Sequence, residues 1–207
     1  MAQVHQTIDA RHYKVNEIIR DGSIVEIRAI RPDDKERLLE HFAGLGARSR
    51  YFRFFGVKRA LTSDDLVRFS ELDFERHVGL AATIQQNGQQ RLIGVGQYIR
   101  TDLPSHAEIA AAVLDEYQGI GLGPLLIRHL ARIAHANGVI QFEADVMGDN
   151  RRMLTMLRNS SCIIHQANNA GVVHFILDCP ECAGHASTSV NPITRIVNPT
   201  VEGGSHG

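Results

Sequence analysis

Hydrophobic and polar positions along the chain follow two periods, and the changes of period predict the order of the elements. Two β-prone runs, Val15 to Ile19 and Ile24 to Ile30, flank Asp21-Gly22, a strong hairpin signal because the favoured turn needs positive φ at both central residues. Two amphipathic helical patterns follow, the first opened by Arg31-Pro32-Asp33-Asp34 and the second by Thr62-Ser63-Asp64-Asp65.

The same patterns predict which side chains of this region face the core. Gly44 and Gly46 end the first helix, and the aromatic segment from Arg50 to Phe55 is expected to be a core segment between the two helices. The residues expected to be buried here are Leu38, Leu39, Phe42, Phe52, Phe55, Leu66, Val67, Phe69 and Leu72.

The second half of the chain predicts a sheet with one crossover. Strands are expected at about 77 to 85, 91 to 100, 108 to 114 and 140 to 146, helices at about 122 to 136 and 150 to 157, and a closing hairpin from Ile163-Ile164 and Val172 to Leu177. Only the segment from about 108 to 146 has the strand–helix–strand form that a parallel pair requires. The chain is therefore predicted to be a mixed α+β (α/β) protein.

The expected domain organisation is simple. Residues 1 to 17 are predicted to be a lead-in segment and residues 18 to 178 a single domain. Residues 179 to 207 are poor in core-forming side chains and are predicted to be a polar, flexible tail.

Composition excludes several classes of partner. The formal net charge is -1 with both signs interspersed, so neither nucleic acid nor a membrane surface is an expected partner. We find no signal peptide pattern and no apolar run near the ~20 residues of a membrane span. Three cysteines do not make a disulfide framework, and a cytoplasmic protein is expected, with its oligomeric state left open.

A glycine-rich stretch joins the strand near residue 114 to the long helix: Gln118-Gly119-Ile120-Gly121-Leu122-Gly123-Pro124. Alternate glycines let the backbone take positive φ, so successive N–H groups can point into one concave pocket. Pro124 suits a first helical turn, where its missing N–H has no partner to lose. Free N–H groups and the helix dipole favour an anion, so the stretch predicts a phosphate site.

Three kinds of phosphate loop compete for this stretch. A Walker loop is excluded because no Gly-Lys-Ser or Gly-Lys-Thr follows. A dinucleotide loop would use Gly119 and Gly121, with Glu143 about where an acidic ribose ligand falls, but Pro124 replaces the third glycine and no second βαβ unit follows. The third kind, the pyrophosphate loop of acyl-coenzyme A N-transferases, is favoured over the dinucleotide loop.

The residues that favour the third kind extend beyond the glycines. Glu108 to Val113 precede the loop, a Q/R-x-x-G-x-G/A signature falls on Gln118, Gly121 and Gly123, and Asp149 to Leu154 follow. Together they resemble the central motifs of the GNAT acetyltransferase superfamily. The resemblance implies a central, mostly antiparallel twisted sheet with helices on both faces, and acetyl-CoA as co-substrate without a metal.

Further segments resemble one branch of that superfamily, the bacterial Pat-like protein lysine acetyltransferases. They are Arg20 to Gly22, Ile27 to Asp34, Ser49 to Gly56, and Leu66 to Asp73. This branch modifies acyl-CoA synthetases, so the resemblance implies a protein substrate with an exposed lysine. Some members carry a fused regulatory domain, for which this chain has no room.

The resemblance also implies site residues. The cofactor-binding residues are expected to be Gln118, Gly119, Ile120, Gly121, Leu122, Gly123 and Asn150. Asn150 has a helix cap as its equal alternative, and Arg128 and Arg132 are at least as well explained by a solvated helix face as by an adenosine phosphate contact.

Transfer to lysine needs a proton acceptor, because an amine of pKa ~10.4 is almost fully charged near pH 7. Glu108 is the predicted base, at the position where the branch places a catalytic glutamate. Glu116, Glu143 and Asp145 are the alternative carboxylates.

Two expected features are missing or weak. The superfamily often places an acid tyrosine where this chain has Leu157, so the general acid is unassigned and direct attack on the thioester is expected. Cys179-Pro180-Glu181-Cys182, with His174 and His185 nearby, has metal-like spacing, but a structural zinc site closes around four ligands and coincidence is favoured. Small-molecule amine acetylation and a non-catalytic acyl-CoA sensor remain alternatives.

Overall fold

A computed structural model describes residues 7–179, which form one eight-stranded sheet with helices packed against it. The strands are β1 (Lys14–Ile18), β2 (Ile24–Ala29), β3 (His77–Gln86), β4 (Gln89–Arg100), β5 (His106–Val113), β6 (Gln141–Met147), β7 (Ile163–Asn169) and β8 (Val172–Asp178). The α-helices are α1 (Lys35–Gly44), α2 (Ala47–Phe54), α3 (Ser63–Ser70), α4 (Leu122–Ala136) and α5 (Arg151–Arg158), with short 3-10 turns at Ala10–His12, Pro32–Asp34 and Asp115–Tyr117.

The strand order is β1-β2-β3-β4-β5-β6-β8-β7, and every neighbouring pair is antiparallel except β5 and β6. Helix α4 makes the connection between these two parallel strands. The predicted mixed α+β fold with a single strand–helix–strand crossover is confirmed.

Helices cover both faces of the sheet. On one face Leu122, Leu126 and Leu130 of α4 pack close to β4, where a Cβ on Gly96 would lie 2.9 Å from Leu130 Cδ1. On the other face, side chains of α1 and α3 form a smaller core cluster with residues in and beside the sheet: Ile30, Leu38, Leu66, Phe69, Leu72, Ala81, Leu92 and Val95. Because Gly96 has no side chain, α4 can approach β4 closely on the first face.

Three of the predicted core positions were wrong. Leu39 is 41 % exposed and Val67 44 % exposed, because α1 and α3 each bury a narrower stripe than the apolar residues suggest. In α1 the buried face is formed by Leu38, His41 and Phe42, so a histidine occupies a core position. Phe55 is 45 % exposed, because it ends α2 in the left-handed conformation with φ of 53°.

The packed part of the chain begins before residue 18. Ala10 is buried, Ile8 and Tyr13 pack against the larger core cluster, and β1 starts at Lys14. Tyr13 Oη lies 2.6 Å from His129 Nδ1 of α4, which ties this segment to the central helix. Among residues 7–179, no helix is both long and apolar enough to cross a membrane.

The buried His41 should make stability depend on pH. Burial lowers the pKa of His41 to about 4, although Nδ1–H donates to the Leu92 carbonyl. Since the unfolded chain binds a proton near pH 6.5 and the native state does not, unfolding free energy should fall by about 3 kcal/mol as pH drops from 6.5 to 4.

Urea titrations at both pH values check this expectation in the parent and in His41→Gln. The glutamine variant, which cannot titrate, should lose less stability than the parent over this interval. His165→Gln, at an exposed position in β7, is the control. Equal losses in His41→Gln and the parent would contradict the assignment to His41.

Candidate functional site

The sheet opens into a fork between β5 and β6. The two strands pair only at His106 with Gln141, Ala107 with Phe142, and Glu108 with Glu143. Beyond Glu108, β5 continues to Val113 paired with β4 alone, and β6 continues to Met147 paired with β8 alone. Between residues 109 and 112 the fork side of β5 therefore has backbone groups that pair with no strand and are free for an extended ligand.

Glu108 lies at the point where the fork begins. Its side chain is exposed, and it shares a sheet face with its register partner Glu143 and with His106. Glu143 Oε1 lies 3.1 Å from His106 Nδ1, so that carboxylate is already engaged, and Asp145 Oδ1 lies 2.7 Å from His174 Nδ1. No such partner of the Glu108 carboxylate is found within residues 7–179.

The glycine loop follows β5 and leads into α4. Gly119 and Gly121 have φ of 86° and 96°, and Gly121 is the residue before the first turn of α4, with no side-chain cap. A Cβ built on Gly119 or Gly123 would meet nothing within 4 Å, so the space beside both glycines is open. In the described residues, the amides of Gly119, Ile120 and Gly121 donate to no protein acceptor. This arrangement can cradle a phosphate.

Two of the predicted loop residues have structural roles. The Gln118 amide donates to the Asp115 carbonyl, and its side-chain Nε2 donates to the Val113 carbonyl at 2.9 Å, while Arg152 of α5 donates to its Oε1. Leu122 is buried in the core. Gln118 therefore holds the loop between β5 and α5, and its own amide is not a free donor.

Asn150 is the N-cap of α5. Its side chain accepts a hydrogen bond from the Met153 amide at 3.2 Å, so Asn150 has the helix-cap role that was its alternative to cofactor binding. Leu157, at the position of the superfamily's tyrosine, is buried in the core and carries no proton donor.

The two arginines of α4 interact with residues in and just before β1. Arg128 Nη2 lies 3.5 Å from Glu17 Oε1, which also lies 3.0 Å from His129 Nε2, and Arg132 acts electrostatically on Tyr13. The remaining alternative carboxylate, Glu116, is paired with Arg91 at 2.6 Å.

Sequence reasoning missed Arg20 as a neighbour of the loop. The Arg20 amide donates to the Ile120 carbonyl, and its side chain is the nearest to Gly121, where a Cβ would lie 3.6 Å from Nε. The sequence shows that Arg20 precedes the Asp21-Gly22 turn, but it does not show that this hairpin lies beside the glycine loop. An exposed guanidinium here adds positive charge at the anion cradle.

The cysteine pair is only partly within the described residues. Cys179 is buried, its thiol donates to the Ala131 carbonyl at 3.2 Å, and burial raises the pKa of that thiol to about 12. Cys182 and His185 lie outside the described residues. Within residues 7–179 no group of three or more potential metal ligands is found.

A forked sheet with a glycine cradle at the start of the crossover helix is the architecture of coenzyme A-dependent acetyltransferases. The family model described as "Acetyltransferase (GNAT) family" matches residues 45–159. The chain belongs to the GNAT acetyltransferase family and is an enzyme of the acyltransferase class. The predicted superfamily membership is thereby confirmed.

The chain is also similar to individual acetyltransferases. The chain is 31 % identical over 137 residues to acetyltransferase PA5475 of Pseudomonas aeruginosa, covering 66 % of this chain and 74 % of the relative. It is 29 % identical over 163 residues to acetyltransferase Pat of Mycolicibacterium smegmatis, covering 78 % of this chain but only 48 % of that protein. The solved GNAT domain of S. lividans PAT matches with a TM-score of 0.73 and 32 % identity, covering 80 % and 96 % of the two chains.

Proposed function

We propose that this acetyltransferase transfers an acetyl group from acetyl-CoA to the ε-amine of a lysine in a protein, with an acyl-CoA synthetase as the acceptor. The observation that carries the proposal is the position of Glu108. Its carboxylate is exposed at the mouth of the fork, where a lysine side chain projecting from a folded protein can reach it.

The shape of the site favours a protein acceptor over a free small amine. Small-molecule sites usually enclose most of the ligand in a cavity of ~300 Å³ or more. Glu108 lies on exposed sheet surface, and it does not line the cavity of about 40 Å³ that core side chains of α1, α2 and α3 form on the same face. The similarity to two proteins named Pat supports the same choice of acceptor.

The residues present fit acetyl-CoA, which supplies the acetyl group as a thioester when bound. The open space beside Gly119 and Gly123 and the free amides of the loop suit a pyrophosphate, and the unpaired edge of β5 suits an amide-containing arm. Gln118 and Asn150 support this site by holding the loop and α5. We further propose that the protein acts in the cytoplasm, because acetyl-CoA and acyl-CoA synthetases occur there.

Glu108 takes the proton that the lysine ammonium must lose. The amine is the nucleophile only when neutral, and an ionised carboxylate in the open fork accepts that proton directly or through water. Leu157 leaves no donor at the superfamily's tyrosine position, so direct attack of the amine with protonation of the leaving group by solvent is the course that these residues support.

The test of the function uses a purified bacterial acyl-CoA synthetase. The synthetase is incubated with acetyl-CoA, with and without this protein, and acetyl-lysine is located by mass spectrometry. Acetylation of one synthetase lysine supports the proposal. Acetylation of free small amines, with none on the synthetase, overturns it in favour of the small-molecule alternative. Tight coenzyme A binding without transfer to any amine overturns it in favour of the sensor.

The glycine loop should be sensitive to a single methyl group. In Gly121→Ala, a residue with a Cβ would have to adopt φ of 96° beside Arg20, at a cost of about 1–2 kcal/mol, or move the loop amides. We expect affinity for coenzyme A to fall about tenfold or more, measured by isothermal titration calorimetry.

Gly88→Ala is a matched control for this substitution. Gly88 has φ of 78° in the β3–β4 turn, and a Cβ there meets nothing within 4 Å. The control carries similar backbone strain away from the loop, so its stability should fall while its coenzyme A affinity stays at the parental value. Parental affinity in Gly121→Ala as well would argue against the loop as the pyrophosphate site.

A further inference from the structure

Arg53 lies over the sheet face that carries Glu108. It belongs to the last turn of α2, and its side chain lines the cavity of about 40 Å³ together with Gln97 of β4 and Ala112 of β5. Gln97 pairs with Ala110, and the next pair on the same face brings Glu108 opposite Ile99. The guanidinium therefore lies on the sheet face of Glu108, close enough for the Glu108 carboxylate to act on it electrostatically.

The guanidinium of Arg53 is in contact with aromatic rings and not with a carboxylate. Its guanidinium carbon lies 5.3 Å from the ring centre of Phe54 and 5.9 Å from that of Phe69, and within residues 7–179 it forms neither an ion pair nor a hydrogen bond. Burial lowers the pKa of Arg53 below its ordinary value, and the Glu108 carboxylate opposes that effect. Keeping a cation in such surroundings without a hydrogen bond or a close ion pair is costly, and groups of this kind concentrate at functional sites.

Two further carboxylates lie on β6, on the face of the sheet that carries Glu108. A lysine arriving at Glu108 meets the carboxylates of Glu143 and Asp145, and opposite charges favour the ammonium form, which cannot attack a thioester. The further titratable or charged groups that face this region are His106, His174, Arg68 of α3 and His77 of β3. Of these groups, the cationic side chain that lines the cavity is Arg53.

We propose that Arg53 favours the neutral form of the acceptor lysine at Glu108, and is thus an electrostatic determinant of amine activation. A like charge close to an amine disfavours its protonated form, and enzymes use a neighbouring cation in this way to activate lysine. This inference rests on the proposed function, because it requires a lysine acceptor and Glu108 at the reacting end. Glu108 accepts the proton, and the positive charge of Arg53 favours its loss from the lysine ammonium.

The test is the pH profile of kcat with the acyl-CoA synthetase at saturation. As pH rises, kcat should rise with the fraction of neutral amine in the bound complex. In Arg53→Met, which retains an apolar stem against Phe54 and Phe69, the midpoint of this rise should move up by about one pH unit. Below the midpoint kcat should therefore fall about tenfold, and the two profiles should converge at high pH. Arg53→Lys should restore the parental midpoint.

Arg50→Met is the control, because Arg50 lies on the same helix over the Phe42 ring and does not line the cavity. Its midpoint should match the parent. A uniform loss of kcat at every pH in Arg53→Met, with the midpoint unchanged, indicates a structural role and overturns the inference. If Arg53→Met does not fold, Arg53→Gln answers the same question. Absence of acetyl-lysine with the parental enzyme defeats the proposed function instead, so the two failures are distinguishable.

Discussion

Replacing Glu108 by Gln should lower kcat for acetyl transfer to a protein lysine by about 10²- to 10⁴-fold at pH 7.5, which is the usual contribution of a general base. The amide occupies the same exposed position at the fork but cannot accept a proton from the ammonium. Affinity for acetyl-CoA should be retained, because the glycine loop is separate from Glu108. Steady-state rates with the synthetase, together with calorimetric titration of coenzyme A, measure both quantities.

The pH dependence of Glu108→Gln separates loss of the base from loss of structure. Toward high pH the amine becomes neutral without help, so the ratio of parental to variant rates should shrink. Glu143→Gln is the matched control on the neighbouring strand, since Glu143 is already engaged by His106. A larger loss in Glu143→Gln than in Glu108→Gln would transfer the role of base to Glu143.

The largest effect on stability is expected from Asp34→Asn. Asp34 and Arg28 are each 1 % exposed and form a two-point contact, with Nη1–Oδ2 and Nη2–Oδ1 distances of 2.6 and 2.7 Å. Burial alone would raise the pKa of Asp34, but hydrogen bonds from Arg28 and the Arg31 amide lower it below its ordinary value. Neutralising Asp34 leaves the Arg28 charge buried, at a cost of about 3–5 kcal/mol.

Urea unfolding of three variants tests this expectation. Asp34→Asn should be severely destabilised, whereas Glu71→Gln, which breaks the exposed Lys35–Glu71 pair, should change stability by less than about 1 kcal/mol. The double variant Arg28→Met with Asp34→Leu should recover much of the loss, since it removes both charges together. A loss in Asp34→Asn no greater than in Glu71→Gln would mean that the buried pair is dispensable.

The order of elements could be predicted because it depends on local signals. Period changes, capping residues such as Thr62 and turn dipeptides such as Asp21-Gly22 act within a few residues, and the observed elements follow them. Burial could not be predicted as well. Whether Leu39 or His41 of α1 faces the sheet depends on how the helix is rotated against β4, which is a property of packing between distant segments.

The parts of the candidate site that depend on local backbone conformation could be predicted from the sequence. The contacts between elements distant in the sequence could not. The glycines at 119 and 121 indicate positive φ from the sequence alone. The contact between Arg20 and the loop depends instead on where the β1–β2 hairpin lies. Similarly, Arg53 belongs to an aromatic segment that reads as core. Only the course of α2 over β5 brings this cation to the face that carries Glu108.

The three residue pairs that join β5 to β6 have a consequence for hydrogen exchange. Amides of β5 that point into the fork have no strand to shield them, so they should exchange with solvent rapidly even though β5 lies in the middle of the sheet. A ligand lying along this edge would act as a substitute strand and slow their exchange. Protection confined to the β5 segment from 109 to 113 on addition of coenzyme A would therefore map the path of the ligand through the molecule.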